Sequence, residues 1–453
     1  MNDSQAEIIQ INQESLKTLI RGITCFQEEF SLILVVCNYR TLREQVVQQL
    51  REQCPVQMRE LVLEKSVQTL YTRITEELGT EQPNALMIVG LESVREIDPV
   101  LTATNQIREE FRNFTFPVVL WVTDAILHKL IRLIPDFYSW ATTVEFQMIV
   151  DELIQLIQQT IDEVFAKVLN CREDVFLDNA ALDLEKGSAR CAELKSAREE
   201  LQDRGVTLEP ELEAGLEFIL GRIADNSDVA SRHHYEQSLA LWQQIGDRQR
   251  CGLLLFYIGL WWRNYAARNR VEHQQAADRA RDYFHQSIEA FEQADRPDLA
   301  AKFINFLAEV LHRLNHWREL EFVAQKALVL HQTHYDQFRQ ARVHGFLAEV
   351  ALSKSLWIEA KQAAQQALIL LNDATKTISN PSPEQIVLLD LERSFYQGWY
   401  LFSLAKAQQQ IGQLPEAIST LETARNQAKP QYDPELYIQI LTALREYYFQ
   451  QGQ

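Results

Sequence analysis

"NFLAEVLHRLNHWRELEFVAQKALVL", residues 305–330, recurs 40 residues later as "GFLAEVALSKSLWIEAKQAAQQALIL", residues 345–370. Apolar residues recur three and four positions apart in each segment, which predicts a hairpin of two amphipathic helices. One such hairpin cannot bury its own apolar face, so repeated hairpins stack on their neighbours. The matched identical pairs include Phe306 and Phe346, Leu307 and Leu347, Ala308 and Ala348, Glu309 and Glu349, Trp317 and Trp357, Ala324 and Ala364, and Ala327 and Ala367.

The same frame extends in both directions from this pair. Matching helical segments lie at 235–242, 257–262, 280–291, 401–424 and 434–452. Five helical hairpins and a capping helix are therefore predicted over residues 211–453. The stretch 373–389 is rich in Ser, Pro, Asn and Thr, and it predicts an exposed loop inserted in this array.

The segment "LFSLAKAQQQIGQLPEAISTLETA" at 401–424 resembles the tetratricopeptide repeat. The resemblance covers the last two thirds of the chain, although a period of 40 implies helices longer than usual for that family. It implies an all-α helical solenoid with a groove that binds a protein or peptide partner. The residues that carry it are Leu404, Ala405, Gly412, Pro415, Glu416, Ala417, Leu421 and Ala424.

The first helix of each hairpin is expected to line this groove. Its mixed polar side chains suit an extended peptide or a partner helix, held by amide hydrogen bonds and charge pairs. The alternative is that they form ordinary solvated helix faces. Transfer of the repeat positions predicts these groove residues: Lys302, Asn305, Glu309, His312, Arg313, Arg342, Glu349, Phe402, Lys406 and Gln409.

The first third of the chain alternates strand and helix patterns. Continuous apolar runs such as "SLILVVC" are typical of strands covered by helices on both faces of a sheet. The pattern predicts an α/β domain with a mostly parallel, doubly wound, five-stranded sheet. The candidate strands are 31–37, 59–64, 85–91, 117–123 and 142–147.

The phosphate chemistry common in this fold class is missing from the sequence. The turn after the first strand is Asn38-Tyr39-Arg40-Thr41, and no G-x-x-x-x-G-K-[S/T] loop occurs. "ALMIVGLESV" at 85–94 resembles the Walker B region of STAND-type NTPases, but Val89 stands where that family has its magnesium-binding aspartate. A valine cannot ligate magnesium, which requires oxygen donors. The segment "PDFYSW" at 135–140 adds to the resemblance, which implies a degenerate, catalytically silent P-loop-like domain. An unrelated α/β domain that never bound nucleotide is the plainer alternative.

Composition excludes several classes of partner. The formal charge of −19 disfavours nucleic acid and anionic membranes. The first residues lack the pattern of a signal peptide, and six cysteines without metal or redox spacing favour a reducing cytoplasm. His312 and His316 have the spacing of a zinc pair, but they fall at a predicted hairpin turn without a Cys nearby. We therefore expect no catalytic residue, metal or cofactor.

Three domains are predicted: the P-loop-like domain at 1–150, a helical connector at 151–210 and the repeat array at 211–453. The leading functional hypothesis is a non-enzymatic adaptor or regulatory scaffold that uses the groove, with the silent domain as a second interface. The alternative is a nucleotide-dependent STAND-type signalling or defence switch with a diverged phosphate site. A third, weaker hypothesis is a sensor of peptide pheromones. The sequence leaves the oligomeric state open.

Overall fold

The computed structural model describes residues 3–170, 179–185, 187–224, 229–334, 336–377, 392–431 and 433–452. The first of two units comprises the described residues up to Val168 together with those of 179–212. The second unit comprises the remaining described residues. The predicted connector therefore lies largely in the first unit, and the predicted limits of the three domains stay predictions.

The first unit contains a five-stranded sheet in the order β2-β3-β4-β1-β5, and every recorded strand pair is parallel. In the middle of the sheet, Leu34 of β1 lies opposite Leu120 of β4 and Thr143 of β5. The five predicted strands and their parallel pairing are confirmed, while the doubly wound connection stays a prediction. The strands are β1 Ser31–Val36, β2 Arg59–Val62, β3 Leu86–Val89, β4 Pro117–Val122 and β5 Ala141–Glu145.

Eight helices accompany the sheet in the first unit. They are α1 Asp3–Cys25, α2 Arg40–Gln53, α3 Leu70–Leu78, α4 Ile97–Gln106, α5 Asp124–Leu133, α6 Pro135–Tyr138, α7 Val150–Asn170 and α8 Ala189–Asp203. Leu32 and Leu34 share a core with residues of α3, α4 and α5. Ile33 points the other way, towards α1, where a Cβ on Gly22 would lie 2.9 Å from Ile33 Cδ1. Alternation along β1 therefore separates two apolar surfaces.

The two edge strands of the sheet are both blunted. β2 is four residues long and begins with the charged pair Arg59 and Glu60, both exposed. Beyond β5, the peptide of Gln147 pairs with the side chain of Asn12: Gln147 N donates to Asn12 Oδ1 at 2.9 Å, and Asn12 Nδ2 donates to Gln147 O at 2.9 Å. The amide side chain of α1 thus takes the place of a further strand at that end.

The second unit is a helical solenoid, as predicted. Its described helices are α9 Pro210–Ile223 (which begins in the first unit), α10 Val229–Ile245, α11 Arg248–Arg268, α12 His273–Gln293, α13 Pro297–Arg313, α14 Trp317–Thr333, α15 Gln337–Ser353, α16 Trp357–Thr377, α17 Gly398–Gln410, α18 Leu414–Gln427 and α19 Pro434–Gln451. Helices that are consecutive in sequence pack together as hairpins. A π-helical turn at Glu392–Gln397 precedes α17. Residues 373–377 of the loop predicted at 373–389 belong instead to α16, and residues 378–389 lie outside the described residues.

Equivalent left-handed residues end the first helix of three hairpins. Asn315, Ser355 and Gly412 have φ of 57°, 60° and 84°. After each of them the chain closes the helix in the same way; for example, Leu356 N donates to Ala351 O at 2.9 Å. These are Schellman-type ends, in which a left-handed residue satisfies the last carbonyl groups of the helix.

Small residues let paired helices approach closely. A Cβ on Gly345 of α15 would lie 2.4 Å from Tyr400 Cε1 of α17, and one on Gly259 of α11 would lie 2.8 Å from Phe284 Cδ1 of α12. Large rings therefore fill the space above glycine and alanine. Among the helices that the structure describes, none is both long and apolar enough to cross a membrane.

Candidate functional sites

A pocket of about 320 Å³ opens between α15 and α17 and contains two of the predicted groove residues. We call it the α15–α17 pocket. Glu349 of α15 and Lys406 of α17 supply opposite charges, while three aromatic rings supply wall surface. Its lining residues are Trp317, Glu349, Leu352, Ser353, Trp357, Lys406, Gln410 and Tyr447.

Glu349 is held in its ionised form inside this pocket. Ser403 Oγ donates a hydrogen bond to Glu349 Oε1 at 2.5 Å. Burial opposes ionisation, but hydrogen bonds from His312 and Ser403 and the positive charge of Lys406 bring the pKa of the Glu349 carboxyl below its ordinary value. The carboxylate is therefore a fixed negative group at neutral pH.

His312 packs among aromatic rings beside this pocket. Its ring centroid lies 5.3 Å from that of Trp399, 5.7 Å from Trp317 and 6.0 Å from Phe346. Lys406 Nζ lies 5.2 Å from the ring centroid of Phe402, a cation–π distance. The ring contacts of His312 link α13 to α15 and to α17.

Five other predicted groove residues also make contacts within the array. Glu309 accepts from Arg313 Nη2 at 2.7 Å and from Arg263 Nη1 at 3.2 Å, so it bridges α11 and α13. Gln409 Nε2 donates to Gln450 Oε1 at 3.2 Å. Lys302 Nζ and Arg342 Cζ lie 5.4 Å and 4.5 Å from the ring centroids of Phe303 and Tyr396, respectively. Their role towards a partner stays a prediction.

Two predicted groove residues lie in the interior instead. Asn305 is 7% exposed, and its Oδ1 lies 3.1 Å from His331 Nε2 between α13 and α14. Phe402 is 9% exposed and belongs to the core formed by α17, α18 and α19. A neighbouring helix covers each side chain, so neither is available to a bound peptide. The repeat positions alone do not indicate which residues a neighbouring helix covers.

The sequence predicted no partner-binding role for Trp317 and Trp357, which it showed only as a matched pair of the repeat. In the structure they are partly exposed, and both line the α15–α17 pocket. Their 40-residue spacing indicates that equivalent hairpins carry a tryptophan at the same position, the start of the second helix.

A second cavity, of about 600 Å³, lies at the carboxyl ends of β1, β3 and β4, where α/β proteins commonly bind ligands. We call it the sheet-end cavity. Val89 is part of its wall, so the position expected to hold magnesium carries an apolar side chain. Thr123, at the end of β4, caps α5 by accepting from Ile126 N at 3.4 Å.

Helix α8 closes over this cavity and occupies the amino end of α2. Arg40 N, at the start of α2, donates to Glu193 Oε1 of α8 at 2.7 Å. Tyr39 Oη donates to Glu200, which is also on α8. A helix amino end binds anions through its free amides. Here a carboxylate of the same chain holds one of those amides.

Two further pairs of polar side chains lie at this cavity. Arg43 Nη1 lies 2.7 Å from Glu92 Oε1, and Asn38 Nδ2 donates to Asp124 Oδ2 at 2.5 Å. Burial raises the pKa of the Glu193 carboxyl, although the Arg40 amide and the charge of Arg43 act in the opposite direction. Burial also raises the pKa of the Cys37 thiol to about 12, so this thiol stays protonated and unreactive.

Metal-binding geometry is absent from the described ranges, in which no three His, Cys, Asp or Glu side chains converge. His312 faces the aromatic rings described above, while His316 Nδ1 lies 3.7 Å from Glu319 Oε2.

No model of a known protein family matches the chain. An uncharacterised WD repeat-containing protein of Synechocystis sp. is 23% identical over 298 residues, which are 61% of this chain. That match spans 17% of the length of the Synechocystis protein.

Several solved structures resemble the chain at low identity. RapI in its apo form is 13% identical, with 64% of this chain and 78% of that chain covered and a TM-score of 0.42. BtubC from P. vanneervenii is 12% identical, with 62% and 91% covered and a TM-score of 0.36. A STAND protein with a tetratricopeptide repeat sensor from Pyrococcus horikoshii is 12% identical, with 96% and 80% covered and a TM-score of 0.28.

At these identities and TM-scores, function has to be argued from the residues of this chain. Its stacked hairpins, their matching helix ends and their small-residue contacts define a helical-repeat solenoid.

Proposed function

We propose that the protein is a non-enzymatic adaptor or regulatory scaffold that binds a protein or peptide partner on its repeat array. The observation that carries this proposal is the α15–α17 pocket, where Trp317 and Trp357 flank the charges of Glu349 and Lys406. The proposed contact surface extends along α13, α15 and α17.

The chemistry of the pocket fits the anchor of a peptide. Aromatic side chains in concave sites contribute much of the binding free energy of protein interfaces. Glu349 and Lys406 lie close enough to influence each other, so they present a fixed pair of opposite charges to the peptide. A volume of about 320 Å³ admits a large side chain of a partner together with part of its backbone, while the helices beyond the pocket offer amide and guanidinium groups.

A peptide selected from a random library on the immobilised full chain provides the test. We expect Trp357→Ala to weaken its binding at least about tenfold, as for a central aromatic anchor, and Lys406→Glu to weaken it as well. Phe322→Ala is the matched control because Phe322 is 67% exposed on α14 and lies outside the pocket. Equal affinity of all three variants, or failure to select any peptide, would contradict the proposal.

For the first unit we propose a catalytically silent, P-loop-like domain that serves as a second interface. Support comes from Val89 at the position expected for a metal ligand and from Glu193, which holds an amide at the start of α2. The sheet-end cavity of about 600 Å³ keeps one alternative open, a nucleotide-dependent STAND-type switch.

Melting of the purified chain with ATP or GTP and Mg²⁺ separates these two functions. A ligand at 100 times its Kd stabilises the folded state by about 2.7 kcal/mol, which raises the melting midpoint by several degrees. We expect the midpoint to stay unchanged. A rise that saturates with nucleotide and disappears in Arg43→Gln would establish the switch instead.

A further inference from the structure

A third pocket, of about 350 Å³, lies among α10, α11 and α12, away from the proposed peptide surface. We call it the aromatic–arginine pocket. Three residues of the sequence "LWWRNYAAR" line it, Trp261, Trp262 and Tyr265, and the peptide-binding proposal does not use these clustered rings. The residues that matter for its chemistry are Arg232, Trp261, Trp262, Tyr265, Glu272 and Arg279.

Three rings of α11 form a preorganised apolar wall. Tyr265 stacks on Trp261 with a centroid distance of 5.2 Å and an interplanar angle of 14°. Trp262 stands nearly perpendicular to Trp261, at 5.0 Å. Trp261 and Trp262 are 4% and 7% exposed, so their rings are fixed by packing before any ligand arrives.

Two guanidinium groups lie against these rings. Arg279 Cζ is 4.4 Å from the ring centroid of Trp262, and Arg232 Cζ is 4.7 Å from that of Trp261. The chain's own arginines therefore already occupy the positions where a ligand cation would stack. A second cation would also be repelled by them, so the pocket selects against cationic ligands.

Two hydrogen-bond donors of the pocket, Arg279 and Trp262, have no acceptor among the described residues. Across the ranges that the structure describes, no carboxylate lies within ion-pair distance of Arg279, and Trp262 Nε1 is buried without a hydrogen-bond partner. The acidic groups nearby are engaged: Glu272 accepts from Tyr265 Oη at 2.8 Å, and Glu236 lies 3.3 Å from Arg232 Nε. The guanidinium of Arg279 is thus available for an incoming acceptor.

We propose that the aromatic–arginine pocket binds a small organic monocarboxylate with an aromatic body. The carboxylate pairs with the guanidinium of Arg279, a geometry that a planar fork of N–H groups favours. The aromatic body packs against Tyr265 and Val229, the apolar side chains of the lining that keep exposed surface. Glu236 and Glu272 balance the two arginines in charge, which favours a monoanion over a phosphate dianion.

The carboxyl terminus of a peptide that ends in an aromatic residue presents the same chemistry as a free acid. Either source satisfies the proposal, and the experiment distinguishes them. The site is independent of the α15–α17 pocket, since the two share no lining residue.

Titration calorimetry of the full chain with 3-phenylpropionate and with its neutral amide tests the charge requirement. We expect the acid to bind about tenfold or more tightly than the amide, since a charge-assisted hydrogen bond is lost in the amide. Phenyl phosphate is the third ligand and should bind more weakly than the acid. Because this comparison uses the unaltered protein, it does not depend on any variant folding.

Arg279→Gln should reduce the affinity for 3-phenylpropionate about tenfold and remove the preference for acid over amide. Arg318→Gln is the matched control, since Arg318 is an exposed arginine of α14. A peptide ending in phenylalanine, tested with a free and an amidated carboxyl terminus, identifies the source. Tighter binding of the free peptide than of 3-phenylpropionate indicates a peptide terminus, and the reverse indicates a free acid.

Equal affinity for the acid and the amide, or an unchanged affinity in Arg279→Gln, would overturn the proposed site. So would the absence of any heat of binding with 3-phenylpropionate and with the free peptide up to about 10 mM, a concentration at which even millimolar affinity is detected.

Discussion

At the scale of single residues, the structure shows how one carboxylate is kept charged in a partly closed pocket. Burial raises the pKa of the Glu349 carboxyl, but the hydrogen bonds and positive charges around it lower the pKa by more. The opposite balance holds for Glu193, where burial raises the pKa of the carboxyl. The pKa values of these two glutamates are thus shifted in opposite directions, because Glu349 has a lysine, a histidine and a serine beside it.

The lowered pKa of Glu349 predicts a pH dependence of stability. Because the folded-state pKa lies below the ordinary value of 4.5, the unfolded chain takes up the proton first as the pH falls. The stabilisation is therefore complete above about pH 4.5 and is lost as the pH falls through the folded-state pKa. We expect Glu349→Gln to lower the melting midpoint at pH 7 by about 2–4 °C and to reduce its fall towards pH 4.

The control for this measurement is Glu359→Gln, because Glu359 is exposed on α16. Parallel melting curves of the wild type and Glu349→Gln between pH 7 and pH 4 would show that the carboxylate contributes nothing to folding.

At the scale of elements, close packing sets which residues the repeats tolerate. Gly345 lies in α15, where alanine is ordinarily favoured over glycine by about 1 kcal/mol. Here a Cβ would lie 2.4 Å from Cε1 of Tyr400, a ring that is fully buried. The steric effect and the helix propensity therefore oppose each other.

We expect Gly345→Ala to destabilise the protein by a net amount of about 1–2 kcal/mol, since overpacking costs about 1–3 kcal/mol. The free energy of unfolding in urea, compared with that of Gln366→Ala on the exposed face of α16, measures this effect. A stabilised Gly345→Ala variant would mean that α15 and α17 separate easily.

The sequence predicted elements well where their apolar residues are periodic. β1 and β4 are continuous apolar runs, and the repeat of 40 located the hairpins. The packing of α8 was missed because its many charges suggested a solvated helix, whereas Cys191, Leu194 and Leu201 bury one side of it. The contact between Glu193 of α8 and the start of α2 was also missed. It joins residues that are 153 positions apart, and no local sequence pattern indicates such a contact.

At the scale of the whole molecule, the chain divides into two units. In the first unit an apolar cluster centred on the sheet includes Leu34 and Phe137, and in the second unit another cluster joins α17, α18 and α19. Each unit therefore has the buried apolar surface that an independent domain requires.

A fragment comprising residues 210–453 is expected to fold alone, with helical circular dichroism and a single cooperative melting transition. A fragment that starts at residue 273 is the control, because it removes α11 and exposes Phe284 and Phe291, which pack against Gly259 and Gly252. Broad, non-cooperative melting of the longer fragment would show that the solenoid depends on the first unit.

The short edges of the sheet carry a consequence for the protein at high concentration. Exposed strands normally recruit strands from other molecules and seed aggregates. β2 resists this through its brevity and the charges of Arg59 and Glu60, and the Asn12 side chain caps the backbone beyond β5. A concentrated solution should therefore resist amyloid-like assembly through this sheet, even though β1 and β4 are among the most apolar segments of the chain.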